Sequence, residues 1–256
     1  MDSGPYQLKG DRHSSHALIL DRLGEGRGRR LLDVGAADGF LAERLAKQGW
    51  DVTALEGDPV LADRARERCR HVVVADLERA VPVLTGPFDA IVYGDILEHL
   101  SDPLGVLIAM NRSATPRAVI IVSLPNVAHV WVRLSLLFGR FDYVSRGILD
   151  RSHLRFFTRR TVLELLGRAG LTVDELLATP VPLPIVVPPR FHGRMLSAVH
   201  SASALASRCW KSGLAYQFVA VARLGATVRS EVPRRLPEPA IESAPSMGTA
   251  MVDGAP

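Results

Sequence analysis

Residues 30–45 read RLLDVGAADGFLAERL, and the fold turns on how this stretch is divided. RLLDV is a short apolar run of strand type. DGFLAERLAKQG follows with Leu41, Ala42 and Leu45 on one helical face and Gly49 as a C-terminal stop. Between them lies Gly35-Ala36-Ala37-Asp38-Gly39. Small residues at such a turn let a ligand approach the backbone, and the helix start offers free N–H groups. A dinucleotide dehydrogenase carries GxGxxG, whereas this loop has the shorter GxxxG spacing. Asp33, two residues ahead of the loop, would repel a pyrophosphate. It suits a ligand that carries an ammonium group and a sulfonium.

Outward from this unit the pattern repeats. DVTALE (51–56), HVVVAD (71–76), FDAIVYGD (88–95), RAVIIVSLP (117–125), LTVDELLAT (171–179) and AYQFVAVARL (215–224) read as further strands. Asp58-Pro59 and Asp102-Pro103 each supply an N-cap and a first-turn proline, opening helices that run to Arg68 and to about Arg112. Thr158 caps another helix, with Val162, Leu165, Leu166 and Ala169 as its buried stripe, and residues 194–210 form one more. Strands alternating with helices predict a mostly parallel sheet with helices on both faces. Ligands of such sheets sit beyond the carboxyl ends of the strands, near the switch in strand order.

Acids recur at those carboxyl ends. Asp33 closes strand one, Glu56 closes strand two and Asp76 follows strand three. Glu56 can accept hydrogen bonds from both hydroxyls of a ribose, and Asp76 from an adenine amino group. Taken singly, each reads as a helix cap or a solvated loop residue. Together, DVGAADG, ALEGDP, ADLE and FDAIVYGDILEHL resemble the four motifs of the class I S-adenosylmethionine-dependent methyltransferases, and the likeness covers most of residues 15–224. Ala37 departs from it, since many members have glycine there. The resemblance implies a Rossmann-like sheet of seven strands, the last antiparallel. It also implies that Asp33, Gly35, Ala36, Gly39, Glu56, Asp76, Leu77, Gly94 and Asp95 hold the cofactor.

GDILEHL (94–100) puts Asp95, Glu98 and His99 at a strand exit. Much later, ILDRSHLRFFTRRT (148–161) brings His153 just ahead of a helix, with Phe156 and Phe157 to anchor that loop. The set resembles the metal site of small-RNA 2′-O-methyltransferases, where two glutamates and a histidine precede a later histidine. The Glu-His pair is similar to that of ubiquinone-pathway O-methyltransferases, and DRSHLRFFT to bacterial sugar O-methyltransferases. The resemblance implies Asp95, Glu98, His99 and His153 as ligands of Mg²⁺, Mn²⁺ or Fe²⁺, with Glu98, His99 and His153 activating an acceptor hydroxyl. Such a cation lowers the pKa of a bound hydroxyl and fixes its oxygen. Asp95 is one methylene shorter than the glutamate of the RNA pattern, which leaves it open to a cofactor role alone. His99 or His153 acting as a general base without metal is the alternative.

Composition bounds the remainder. Of 256 residues, 47% are hydrophobic and 23% charged, as expected of a folded protein. Cys69 and Cys209 form no CxxC pair, so a disulfide framework is not expected. The net charge is +4, almost all from scattered arginines, with lysine only at 9, 47 and 211. That pattern gives weak support to an anionic partner, an acidic membrane or a nucleic acid, and a nucleic acid is not the expected one. MDSGPYQLKGDRHSSH has no signal-peptide core and no apolar run reaches ~18 residues, so a cytoplasmic protein is expected.

The expected organisation is an N-terminal segment or helix over the cofactor site (1–28), a methyltransferase domain (29–224) and a disordered tail (225–256). Residues 126–157 and 180–210 are read as covers on the acceptor side. Trp131 and Tyr143 are candidates for the acceptor pocket or for packing of the first cover. The prolines of PVPLPIVVPPR (180–190) suggest a stiffened flap over the sheet, with contact to a membrane or a lipid-linked acceptor as the alternative. His13 and His16 read as solvated.

The expected activity is methylation of a sugar or similar polar hydroxyl, with or without a divalent metal. The rivals are a metal-independent N- or O-methyltransferase with a histidine base, and a non-catalytic adenosine-binding module.

Overall fold

The computed structural model describes residues 11–225. The tail expected at 225–256 lies outside the described residues, save Gly225. Seven strands form one sheet there: β1 (Arg30–Val34), β2 (Asp51–Glu56), β3 (His71–Val74), β4 (Phe88–Gly94), β5 (Ala114–Pro125), β6 (Leu171–Thr179) and β7 (Gln217–Leu224). Their order is β3-β2-β1-β4-β5-β7-β6. The first five run parallel, and β7 pairs antiparallel with both β5 and β6. Strand order reverses between β1 and β4, so the crevice for a ligand opens beyond Val34 and Gly94.

Side chains alternate between the faces of the sheet and build a core on each. Leu32, Val34, Ile91 and Tyr93 enter one core, with Leu107 and Met110 of α4 (Pro103–Asn111) and Leu165 and Leu166 of α6 (Arg159–Arg168). Leu31, Ala90 and Val92 enter the other, with Ile19 of α1 (Ser15–Leu23) and Leu41, Ala42 and Leu45 of α2 (Phe40–Lys47). Helix α3 (Pro59–Arg66) opens as its sequence predicts. The Asp58 carboxylate accepts from the N–H groups of Val60 and Leu61, and Pro59 stands where no donor is needed.

The two covers leave the sheet at one place. Pro125, at the end of β5, and Thr179, at the end of β6, both pair with Gln217 at the start of β7. Beyond Pro125 come α5 (Val130–Leu137) and the loop to 157. Beyond Thr179 come α7 (Leu183–Val186), a 3-10 turn (Pro189–Phe191) and α8 (Arg194–Cys209), followed by α9 (Lys211–Leu214). Both covers therefore stand on the rim that carries the loops after β1, β2 and β4. In the second cover Ile185, Val186 and Phe191 are exposed, while Val181, Leu183 and Val187 are half-buried.

Candidate active site at the carboxyl rim

The loop after β1 is bound to β2 at several points. The N–H groups of Gly35 and Ala36 donate to the carbonyl of Leu55 (2.8 and 3.0 Å). The N–H of Ala37 donates to Glu56 Oε2 at 2.8 Å, and that of Asp58 to Oε1 at 2.9 Å. Glu56 thus clamps both loops at once. Ala37 has φ +48°, a left-handed conformation that costs an L-residue about 1 kcal/mol and that glycine adopts freely. This is the physical sense of glycine at that position in similar motifs.

Asp33 lies under the loop and is buried. Its Oδ2 has no hydrogen-bond partner among the described residues. Burial, and secondarily the charge of Glu56, pushes its carboxyl up to about 7. Asp38 is also buried, with Arg64 3.7 Å from its Oδ1. Asp76 is half-exposed. Its carboxylate accepts from the N–H of Glu78 (3.0 Å) and pairs with Arg79 (3.2 Å). Leu77 packs against the first core, and Gly94 ends β4 facing Leu41.

At the exit of β4 the chain turns through Asp95, whose φ is +55°. Its N–H donates to Ser123 Oγ (3.0 Å). Its Oδ1 accepts from Ser123 Oγ and from Gln217 Nε2 (3.1 Å), and its Oδ2 from Ser15 Oγ (3.4 Å). Donors from β5, β7 and α1 therefore hold this carboxylate. A 3-10 turn, Leu97–His99, then buries Glu98 and leaves His99 half-buried.

Glu98, His99 and His153 come together: one potential ligand atom from each lies within 4.8 Å of the others. The imidazole rings meet edge to face with centroids 4.8 Å apart. The carbonyl of Glu98 anchors the later loop, accepting from the N–H groups of Leu154 (2.8 Å) and Arg155 (3.0 Å). Each imidazole is oriented by a backbone carbonyl, His99 Nδ1 on Ser152 O (3.2 Å) and His153 Nδ1 on Ile148 O (3.1 Å). A carbonyl only accepts, so both Nδ1 atoms carry hydrogen, and Nε2 is the position on each ring that can take a proton or a cation. Metal-binding histidines are oriented in this way. Burial, reinforced by the neighbouring His99, holds His153 below its ordinary pKa and keeps it neutral at pH 7.

Of the four residues expected around a metal, three are thus brought together and Asp95 stands outside the group. Sequence reasoning missed its supports, Ser123 and Gln217, and two further groups of this rim, Asp150 and Tyr216. Asp150 is held below the usual carboxylate range. Burial opposes this, but the N–H and hydroxyl of Ser152 and then the charge of His153 prevail. Tyr216 is pushed up by burial and then by Asp95. The antiparallel sense of β7 was the available signal, since it brings the amino end of that strand, 216–217, to the rim. Trp131 and Tyr143 are exposed. Phe157 anchors the loop in the core as expected, whereas Phe156 joins Phe141, Tyr143 and His153 in an aromatic cluster. His13 faces His200, which is buried with Asp11 at 2.6 Å, so the reading of His13 as solvated misses this contact.

Comparison with known proteins agrees with this architecture. A family model described as a methyltransferase domain matches residues 9–176. The ubiquinone biosynthesis O-methyltransferase of Methylococcus capsulatus is 34% identical over 163 residues, covering 58% of this chain and 69% of that protein. Its namesake in Xylella fastidiosa strain 9a5c is 36% identical over 160 residues, covering 58% and 63%. Among solved structures, a TehB-like S-adenosylmethionine-dependent methyltransferase from Corynebacterium glutamicum superposes with a TM-score of 0.53 at 18% identity, covering 84% of this chain and 90% of that one. Magnesium protoporphyrin IX methyltransferase from Synechocystis, solved with S-adenosylhomocysteine, superposes with a TM-score of 0.57 at 15% identity, covering 84% of each chain. With a glycine loop and acid-tipped strands on a seven-stranded sheet of this order, and a family match across most of the domain, the chain belongs to the class I S-adenosylmethionine-dependent methyltransferases.

Proposed function

We propose that the enzyme methylates a hydroxyl oxygen of a small polar acceptor, with Glu98, His99 and His153 as the acceptor-activating group. The observation that carries this reading is the pair of imidazoles, each oriented through Nδ1 by a backbone carbonyl, beside a buried carboxylate. A hydroxyl is a poor nucleophile at neutral pH, so oxygen methylation needs a group that takes its proton. His153, kept neutral, holds that proton at Nε2, while Glu98 stabilises the charge that develops on the imidazole. The named relatives, ubiquinone biosynthesis O-methyltransferases, lend support to an oxygen acceptor. A hydroxylated ring or a sugar diol offers such a hydroxyl.

The residues at the rim fit the cofactor. The bare Oδ2 of buried Asp33 suits an ammonium donor, and Gly35, Ala36 and Gly39 leave the backbone open at the start of α2. Gly94 and Asp95 would border its methionine end. Glu56 would take the ribose hydroxyls, and Asp76 and Leu77 the adenine. When bound, the cofactor supplies an electrophilic methyl on sulfonium. Glu56→Ala is expected to weaken binding of S-adenosylhomocysteine about tenfold or more in a calorimetric titration, since it removes the ribose acceptor and the clamp on both loops.

The donor set also fits a divalent cation. One carboxylate and two imidazoles suit Mn²⁺, Fe²⁺ or Mg²⁺, with positions left for acceptor oxygens. Such an ion would lower the pKa of the hydroxyl at the same place. Methyl transfer to catechol and sugar-diol acceptors, measured before and after exhaustive chelation, separates the two forms of the proposal. Loss of activity restored by one cation supports the metal form, and activity that survives supports the histidine base. Turnover of amine acceptors alone would overturn the oxygen reading.

A further inference from the structure

Helix α5 presents a face that water does not explain. Of its eight residues only Val132 is buried. Trp131 is 70% exposed, and Leu137 and Phe138 at its end are 76% and 77% exposed. A helix apolar on most sides is normally covered. The second cover, which leaves the sheet at the same rung, adds exposed Ile185, Phe191 and Met195. Exposed apolar surface on this scale marks a place of contact.

Charge indicates what it meets. Residues 126–157 and 180–210 carry eight arginines against two acids, Asp142 and Asp150, with no lysine or glutamate. That is net +6 on the covers in a chain of net +4, so everything outside them is net −2. Asp142 is already paired with Arg140 (3.1 Å). Arg146, Arg151 and Arg194 are exposed, and their side chains make no hydrogen bond or ion pair among the described residues. Exposed apolar side chains carried on the same two segments as unpaired guanidinium groups are the chemistry of a surface that lies in the headgroup layer of an anionic bilayer. Among the described residues no helix is long and apolar enough to cross a membrane, so contact would be along the surface.

We infer that the two covers form a docking face for an anionic phospholipid bilayer, with Trp131, Leu137 and Phe138 entering the interface and the arginines engaging phosphates. The inference concerns the face and stands apart from the identity of the acceptor. Its test is flotation of the full chain with vesicles of phosphatidylcholine alone and of an equal mixture with phosphatidylglycerol. Binding is expected to the mixture, to fall with salt, and to drop about tenfold or more in Arg194→Glu and in Phe138→Asp. In the wild type, brominated acyl chains should quench tryptophan emission, a reading that needs no variant. Transfer to a water-soluble acceptor should be unchanged in Phe138→Asp, which separates failure of the face from failure of the site. Absence of flotation, equal binding to neutral vesicles, or binding that both variants retain would overturn the proposal. So would a dimer abolished by Phe138→Asp in a protein that ignores vesicles, which would assign the face to a second copy of the chain.

Discussion

His153→Ala is expected to lower the rate of methyl transfer by roughly 10²–10⁴-fold while leaving affinity for S-adenosylhomocysteine within about twofold of the wild type. Both numbers follow from where the side chain stands. His153 Nδ1 is occupied by Ile148 O, and the imidazole stands with His99 and Glu98 at the exit of β4. Removing it takes away the proton acceptor or ligand and leaves the acids of β1 and β2 untouched. The loop should survive, because its anchor is main chain: Leu154 and Arg155 donate to the carbonyl of Glu98, and Phe157 sits in the core. Single-turnover rates set beside a calorimetric titration check both halves. His99→Ala should cause a similar loss, and the double variant little more, since groups that act as a unit do not add. Equal losses in binding and rate would instead make His153 part of the cofactor pocket.

Asp33→Asn should move stability and binding in opposite directions. The carboxyl titrates at about 7 in the fold, against 3.8 when freely solvated, with burial as the main cause. A folded pKa above the unfolded one means that the fold retains a proton which the unfolded chain has released. Stability therefore declines as pH rises from about 4 to 7, and the full cost of burying the charge is present above that range. Asparagine imitates the protonated form, so the ligand-free variant should gain on the order of 3 kcal/mol at pH 8 and almost nothing near pH 3. Urea denaturation at the two pH values measures this. The same change removes the anionic partner offered to the cofactor's ammonium and should weaken binding about tenfold to a hundredfold. Wild-type affinity should tighten as pH rises through 7, and that of the variant should not. A variant that binds like the wild type would remove Asp33 from the cofactor site.

Much of the fold could be read from punctuation. β2 and β6 begin and end where their sequences suggest, because glycines, prolines or acids bound them. β5 begins at Ala114, ahead of Arg117, since Ala114 pairs with Phe88 across an irregularity that Thr115-Pro116 does not advertise. β3 ends at Val74, two residues early, as Ala75 turns to bond Glu56 O. The site divides in the same way. His99 and His153 could be matched because a resemblance linked two short stretches far apart in the chain. The separate position of Asp95 could not be read, because Ser123 and Gln217 reach it from strands 28 and 122 positions away. Contacts made across a sheet leave no trace in local spacing.

Residue 98 serves twice, and different atoms carry the two services. Its side chain stands with the two imidazoles in the proposed activating group, and its carbonyl holds the loop that delivers the second imidazole. Every residue except proline has that carbonyl. Reactivity can therefore be edited at this position without dismantling the scaffold, so Glu98→Gln interrogates charge alone. By the same logic, a lineage drifting at residue 98 could exchange one chemistry for another while keeping the architecture of the site.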